Sequence, residues 1–282
     1  MTDQLYVAIT EDGAFRVVTG NLTNTVREAL AAQNVTGKDA VTFGELIVAT
    51  AIYRITMAHT MRVQGVLKGS DSSGYMLADS HPEGWCRGLV RRTKDGPVEV
   101  KSGALLQMMR TLASGELHQG VVQLEPGASI SDGMMTYFQQ SEQLACQMEV
   151  CCEFDGDELV RAGGYVVELL PEAPEYGLAI MTARLENDFG QFPEKFREWE
   201  GSPVTLRDEI LYGMDFAQTG HAEVRFGCEC SRVRVLASLG TIGVEDLQEM
   251  ISAGETVELS CDYCNTEYRV EPEELRGLLS SS

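Results

Sequence analysis

The chain has 282 residues, 44% of them apolar and 23% charged, which is the composition of an ordinary globular protein with room for more than one domain. Its formal net charge of −21 repels phosphate backbones and anionic membrane surfaces, so nucleic acids and membranes are excluded as expected partners. The start of the sequence lacks the basic and long apolar segments of a secretory signal, and the apolar stretch 46–55 is too short to span a bilayer. We therefore expect a cytoplasmic protein.

Residues 1–178 alternate between strand-like and helix-like stretches without a fixed repeat, which predicts a mixed α/β core domain. A helix is predicted to begin at Thr42, where Thr42 and Glu45 match a capping box, and to continue to Ile55. A second helix is predicted over 131–143. The predicted strands are rich in β-branched or aromatic residues and are bounded by Gly, Asp or Pro; they cover 5–9, 15–19, 121–124, 147–152 and 165–170.

The character of the sequence changes after residue 178, where aromatic residues alternate with charged runs. This pattern predicts a linker over 179–226 with short helices, one of them capped by Thr205 and covering 206–212. The remaining residues, 227–282, form a unit too small to depend on a large core alone. We therefore predict an α+β protein with an N-terminal mixed α/β core domain, a helical linker and a small C-terminal zinc-binding domain.

The zinc prediction rests on two close pairs of cysteines. Cys228 and Cys230 are separated by 30 residues from Cys261 and Cys264. Two such pairs can supply the corners of a tetrahedron, and four sulfur ligands favour Zn²⁺ over hard cations. We predict one zinc ion per chain, held by these four residues. The insert between them is predicted to contain a strand at 233–235, a helix over 243–251 that stops at Gly254, and a strand at 256–259.

The spacing leaves open whether this zinc site is purely structural or a redox switch. A disulfide within a Cys-x-Cys pair closes a small strained ring, and strained disulfides tend to be labile and regulatory. Thiolates are also the form that oxidants attack, so oxidation should release the metal and unfold the domain. Arg232 and Arg234, beside the first pair, either favour the thiolate form or lie on a solvated strand face. Structural disulfides of an exported protein are not expected without a signal sequence.

The other cysteines and the histidines are expected to be structural. Cys151 and Cys152 are adjacent on a predicted strand and should point to opposite faces, as small buried residues. Cys86 and Cys146 are assigned no role, and the four histidines show no ligand spacing. The motifs of phosphate-binding loops and of nucleophile elbows are absent from the sequence. We therefore expect a protein that is not an enzyme.

The segments around the cysteine pairs, 224–232 and 257–268, resemble the 33 kDa chaperonin family, whose hallmark is Cys-x-Cys, about thirty residues and then Cys-x-x-Cys. Residues 137–143 resemble the family's Tyr-Phe-x-x-Ser-Glu-Gln segment, and 162–166 its Ala-Gly-Gly strand. Arg87 and Gly88 fit a family turn. The chain departs from the family at Ala145 and Cys146, where members usually carry Pro-Thr. The resemblance covers essentially the whole chain, in the right order.

This resemblance implies a redox-regulated, ATP-independent chaperone of the oxidative stress response, inactive when reduced and zinc-bound. It implies that oxidation forms the Cys228–Cys230 and Cys261–Cys264 disulfides and releases zinc. The linker would then unfold and expose apolar surface to unfolding client proteins. In the reduced state we expect the aromatic residues of the linker to pack on the core. The resemblance does not identify the oxidant or the clients, and it leaves undecided whether the oxidised chain forms a homodimer.

Two other functional classes are alternatives. A structural zinc-ribbon that binds nucleic acid is disfavoured because the chain from residue 179 onward has 9 basic and 20 acidic residues. A thiol-disulfide oxidoreductase would require a Cys-x-x-Cys motif on a thioredoxin-like βαβ unit. Cys261 follows a predicted strand near the end of the chain instead.

Overall fold

The computed structural model describes residues 2–112, 114–171 and 173–279. It divides into two compact units, Met1–Gly227 and Cys228–Ser282. Both units combine helices with β-structure, which confirms the predicted α+β class. None of the helices in the described ranges is long and apolar enough to cross a membrane.

The first unit is built on one ten-stranded sheet, with the strand order β7-β6-β3-β4-β5-β10-β1-β2-β9-β8. Strand β10 pairs with β5 in parallel and with β1 antiparallel, and the other neighbouring pairs are antiparallel. The strands are β1 Asp3–Thr10, β2 Phe15–Asn21, β3 Arg62–Lys68, β4 Gly74–Ser80, β5 Trp85–Arg92, β6 Leu105–Thr111, β7 Leu117–Gln123, β8 Cys146–Asp155, β9 Glu158–Leu169 and β10 Phe216–Phe226.

Two apolar clusters cover opposite faces of this sheet, because side chains alternate between faces along a strand. Val18 and Val166 belong to the larger cluster, whereas their neighbours Val17 and Val167 belong to the smaller one. The larger cluster contains residues of helices α1 Thr23–Gln33, α2 Gly37–Thr56 and α3 Ile130–Tyr137. The smaller contains residues of α4 Glu175–Asp188, α5 Phe192–Glu198 and α6 Pro203–Ile210.

The five predicted strands correspond to β1, β2, β7, β8 and β9, although 121–124 and 165–170 cover only the later parts of β7 and β9. The predicted helix over 131–143 is α3 followed by a π-helical turn, Phe138–Glu142. It begins one residue earlier, because Ser129 and Asp132 form a capping box at its start. The predicted start of the other helix at Thr42 is wrong. That helix, α2, begins at Gly37, whose φ of +63° suits glycine, so Thr42 lies within it.

Most of the predicted linker, 179–226, is folded as α4, α5, α6 and β10. Phe189, Phe192 and Phe196 of this segment pack in the smaller cluster as expected, the last two only 2% and 1% exposed. Tyr212 is 74% exposed, so the expectation is wrong for that residue. The predicted cap at Thr205 is wrong in position. Helix α6 is capped by Ser202, whose hydroxyl accepts the Thr205 N–H, and Pro203 fixes its first turn. The division into core, linker and switch domains stays a prediction.

The second unit contains helices α7 Arg232–Leu239, α8 Val244–Ala253 and α9 Pro272–Leu279 and a hairpin of β11 Val257–Ser260 and β12 Glu267–Val270. The predicted helix ending at Gly254 and the strand at 256–259 are confirmed. The predicted strand at 233–235 is wrong, because these residues lie in α7, where the Ser231 hydroxyl accepts the Arg234 N–H and caps the helix. The fully buried core is small and consists of Leu239, Leu247, Val270 and Leu275.

Candidate metal centre

The hairpin of the second unit positions one pair of cysteines. Cys261 and Cys264 lie in the turn between β11 and β12. The Cys261 N–H donates to the Thr266 carbonyl (3.0 Å), and the Asn265 N–H donates to the Cys261 carbonyl (2.9 Å). Asn265 has a φ of +54°, a left-handed conformation that asparagine tolerates better than most residues. This turn folds the Cys-x-x-Cys segment back so that both sulfurs face one centre.

The other pair, Cys228 and Cys230, precedes helix α7. The structure brings all four sulfur atoms within 4.8 Å of one another. Cys228 Sγ lies 3.6 Å from Cys261 Sγ, and Cys230 Sγ lies 3.3 Å from Cys264 Sγ. A tetrahedral zinc site with Zn–S bonds of about 2.3 Å has S–S edges of about 3.8 Å. The four thiols therefore fit a single zinc ion in size, number and chemistry.

Hydroxyl groups contact two of these sulfurs. Tyr268 donates to Cys230 Sγ over 3.1 Å, and Thr266 Oγ1 lies 3.2 Å from Cys264 Sγ. Burial raises the pKa of Cys230 and of Cys261. Burial acts in the same direction on Cys264, but hydrogen bonds from Thr266 and from its neighbouring thiols outweigh it and lower the Cys264 pKa to about 7. The pKa of Cys264 thus lies near neutral, which favours the deprotonated form in which a thiol binds a metal.

The two arginines beside the first pair lie on α7, so the predicted solvated strand face is wrong. Arg234 forms an ion pair with Glu229 (3.0 Å), and Arg232 forms one with Glu274 (2.5 Å). Because each guanidinium is already paired with a carboxylate, its effect on the thiols is reduced. Tyr268 and Thr266 carry no local sequence signal for this role, because they reach the sulfurs only through the fold of the hairpin.

The remaining cysteines lie outside this cluster. Cys151 packs in the smaller apolar cluster of the first unit and Cys152 against the larger one, so the prediction that they point to opposite faces is confirmed. Burial raises the pKa of Cys86, Cys146 and Cys151 to about 12, which keeps them as neutral thiols. None of them offers a thiolate at neutral pH.

The position of the Cys-x-x-Cys segment bears on the oxidoreductase alternative. Cys261 lies between two strands of a hairpin rather than at the start of a helix in a βαβ unit. The geometry therefore disfavours a thioredoxin-like active site.

Comparison with known proteins gives concordant results. The family model described as Hsp33 protein matches residues 3–271. A "33 kDa chaperonin" of Clostridioides difficile is 27% identical, covering 99% of both chains. One of Sodalis glossinidius is 30% identical, covering 98% of this chain and 94% of its own. The crystal structure of a 33 kDa chaperonin from Thermotoga maritima superimposes with a TM-score of 0.82 at 22% identity, over 100% of this chain and 99% of its own, which shows the same fold.

Proposed function

This chain belongs to the Hsp33 protein family, and from that premise we propose that it is a redox-regulated, ATP-independent chaperone that holds unfolding proteins during oxidative stress. Its curated relatives are named chaperonins rather than enzymes. The observation that carries the proposal is the cluster of four sulfurs, at the spacing of a zinc tetrahedron, in a unit with a four-residue buried core. A reducing cytoplasm is the compartment in which such thiols persist.

In the reduced state, Cys228, Cys230, Cys261 and Cys264 would hold one Zn²⁺. The bound ion would cross-link the segment before α7 to the β11–β12 hairpin and hold the sulfurs as thiolates. Because the buried core of this unit is small, the cross-link would supply a large part of its folding free energy. The fold of the second unit would therefore depend on the redox state of its sulfurs.

Oxidation would remove these ligands. We propose that Cys228 pairs with Cys230 and Cys261 with Cys264. In each pair two thiolates lose two electrons to hydrogen peroxide, whose O–O bond breaks and which leaves as two waters after taking up two protons. In the reduced cluster Cys228 contacts Cys261 and Cys230 contacts Cys264, so the proposed pairing replaces contacts between the two motifs with a bond inside each motif and leaves the motifs free to separate. Loss of the unit's fold would accompany that separation.

The linker segment is the proposed source of client-binding surface. Helices α5 and α6 bury Phe192, Phe196 and Leu206 almost completely in the smaller cluster, which also contains Tyr165 and Val167 of β9. Each such side chain contributes about 1.5–3 kcal/mol by its burial. Release of the helices would expose apolar side chains on both the linker and the sheet. Strand β10, the last part of this segment, leads directly into Cys228.

The experiment is a peroxide titration in which zinc release and chaperone activity are measured on the same samples. Reduced protein should contain one zinc per chain. Treatment with peroxide and mild heat should release the zinc. In parallel, the oxidised protein should begin to suppress the aggregation of guanidine-denatured citrate synthase without ATP. If the protein suppresses client aggregation equally before and after oxidation, the proposed redox regulation is wrong. A purely structural zinc site would release zinc without any gain in activity.

A further inference from the structure

The two outermost strands of the ten-stranded sheet differ in how their open edges are protected. On β8, the Val150 N–H donates a hydrogen bond to the hydroxyl of Ser131 (3.0 Å). The β8–β9 register is interrupted between Glu153 and Phe154, and the strand carries the carboxylates Glu149 and Glu153. Side-chain capping, register breaks and charges are the devices by which proteins prevent strand addition at a sheet edge. Strand β8 is therefore a protected edge.

Strand β7, at the opposite edge, has none of these devices between Leu117 and Gln123. Its sequence, Leu-His-Gln-Gly-Val-Val-Gln, contains no proline, lysine or carboxylate, and its register with β6 is unbroken from Leu117 to Gln123. Among the described residues it pairs with β6 alone. Leu117 and Val121 are 53% and 48% exposed. An uncharged, regular edge strand with exposed apolar residues is a template for another strand.

The hydrogen-bond alternation of an antiparallel pair identifies which backbone groups are open. Bonds from Leu124 N to the Ala104 carbonyl and from Leu112 N to the Glu116 carbonyl bracket the β6–β7 ladder. Because bonded pairs recur at every second residue, the even-numbered residues of β7 bond to β6. The N–H and C=O groups that point away from the sheet are those of Leu117, Gln119, Val121 and Gln123.

The other side-chain face of β7 is fixed against the protein. Val122 is 2% exposed. A Cβ on Gly120 would lie 2.7 Å from Ser141 Oγ and 2.8 Å from the Tyr137 ring, so the backbone lies directly against α3 and the π-helical turn. The strand is thus held in place by this face, while its outward backbone groups and the side chains of Leu117 and Val121 remain exposed.

We propose that β7 binds an extended segment of an unfolding client, which adds to the sheet as an eleventh strand. This inference rests on the proposed chaperone function and names a binding site for it. The charge of the chain indicates which segment binds. A second copy carries a net charge of −21, and the β7 edge is bordered by Glu116 and Glu125, so like charges oppose pairing between two copies. A neutral or basic segment with alternating apolar residues meets no such repulsion and matches Leu117 and Val121.

Hydrogen exchange at single amides provides the first test, because strand addition has an alternating signature. Oxidised, ¹⁵N-labelled full-length protein is compared with and without guanidine-denatured citrate synthase. The open amides of Leu117, Gln119, Val121 and Gln123 should gain protection of at least about tenfold when the client is bound, since each would enter a ladder hydrogen bond. The amides of His118, Gly120 and Val122 are already bonded to β6 and should change little. An apolar contact on the sheet face would not produce this alternation.

Two pairs of variants test the same edge by function. Gln119→Pro removes one outward backbone N–H without removing a hydrogen bond to β6. Its control is Gln119→Ala, which keeps that N–H but also loses the side-chain hydrogen bond with Gln107. Val121→Lys adds a charge at the open edge. Tyr75→Lys adds it at another exposed residue, on a strand paired at both edges. Gln119→Pro and Val121→Lys should each weaken client binding by about 3- to 10-fold, and the two controls should bind as the parent does.

The outcomes separate this inference from the function on which it rests. If the oxidised protein holds the client while the β7 amides stay unprotected, or if both variants bind as their controls do, the docking edge is wrong and the chaperone function stands. Protection that appears without client and grows with protein concentration would assign the edge to a second copy of the chain and overturn the proposal. If the oxidised protein fails to hold any client, both are overturned.

Discussion

The hydroxyl of Tyr268 donates a hydrogen bond of 3.1 Å to the sulfur of Cys230. Tyr268 lies on β12 opposite Leu259 of β11, so the hairpin that carries Cys261 and Cys264 also supplies a donor to a sulfur of the other motif. The hydrogen bond to Cys230 raises the pKa of Tyr268 to about 12, which keeps the phenol protonated as a donor. This contact links the two cysteine pairs independently of a bound metal.

Tyr268→Phe should weaken zinc binding, because it removes a donor that orients Cys230 and stabilises its thiolate. Loss of a partner to a metal ligand typically costs 10- to 100-fold in affinity, and about 10-fold is expected for one neutral donor. Competition with a chromogenic chelator measures the effect. Tyr212→Phe, which removes the hydroxyl of a tyrosine that is 74% exposed in the first unit, is the control and should bind zinc as the parent does. Equal affinities of the two variants would contradict the role of Tyr268.

Cys261→Ser should leave a chain with less than one zinc and a partly unfolded second unit, because three thiolates and a hydroxyl hold Zn²⁺ more weakly than four thiolates. Amides of the second unit should exchange faster, while those of the sheet in the first unit keep their protection. Cys146→Ser, which changes a cysteine outside the cluster, should retain its zinc and its exchange pattern. Unchanged exchange in the second unit of Cys261→Ser would show that its fold does not need the metal.

The sequence predicted the sulfur cluster because Cys-x-Cys and Cys-x-x-Cys are local patterns with a known geometric consequence. It did not predict Tyr268 as a partner of Cys230, since their contact spans 38 positions and depends on the register of the β11–β12 hairpin. Val233 and Val235 alternate with arginines and so favour a strand locally, but the Ser231 cap and packing on α9 determine a helix.

The sheet shows the same division between local and long-range information. Strands β1, β2 and β8 are rich in β-branched or aromatic residues or bounded by turn residues and were predicted. Strand β3, Arg-Val-Gln-Gly-Val-Leu-Lys, has a glycine between its two valines, and β6, Leu-Leu-Gln-Met-Met-Arg-Thr, has a single β-branched residue, so the local strand signal of both is weak. They are strands because each has a neighbour on both sides, a property of the assembled sheet. The parallel contact of β10 with β5 is likewise a tertiary feature.

Phe196→Ala should loosen the linker helices in the reduced protein. Phe196 is 1% exposed, packs on Phe192 at a ring distance of 5.3 Å and lies against Gly163 of β9. Removing a buried phenylalanine ring typically costs about 3–5 kcal/mol. The segment 175–211 should become sensitive to proteases, and the reduced variant should suppress client aggregation in part. Tyr176→Ala, at a residue that is 69% exposed on α4, is the control. A variant that is cleaved in this segment and still fails to hold client would separate linker release from chaperone activity.

A last prediction concerns pH. Burial, with the nearby carboxylate of Glu149, raises the pKa of Glu45 on α2 to about 7 from its ordinary 4.5. Between these values the folded chain binds more protons than the unfolded chain, so the free energy of unfolding falls as pH rises. The contribution is fully present below pH 4.5 and is lost as the pH rises through about 7.

Glu45→Gln cannot ionise, so it should lose less stability than the parent between pH 5 and pH 8. The difference should be on the order of 1–3 kcal/mol, since each unit of pKa corresponds to about 1.4 kcal/mol. Urea unfolding followed by tryptophan fluorescence measures it, because Trp85 and Trp199 both lie in the first unit. Glu28→Gln, on the exposed side of α1, removes the same charge at the surface and should follow the parent. If Glu45→Gln and Glu28→Gln show the same pH dependence, Glu45 ionises as freely in the folded chain as in the unfolded one.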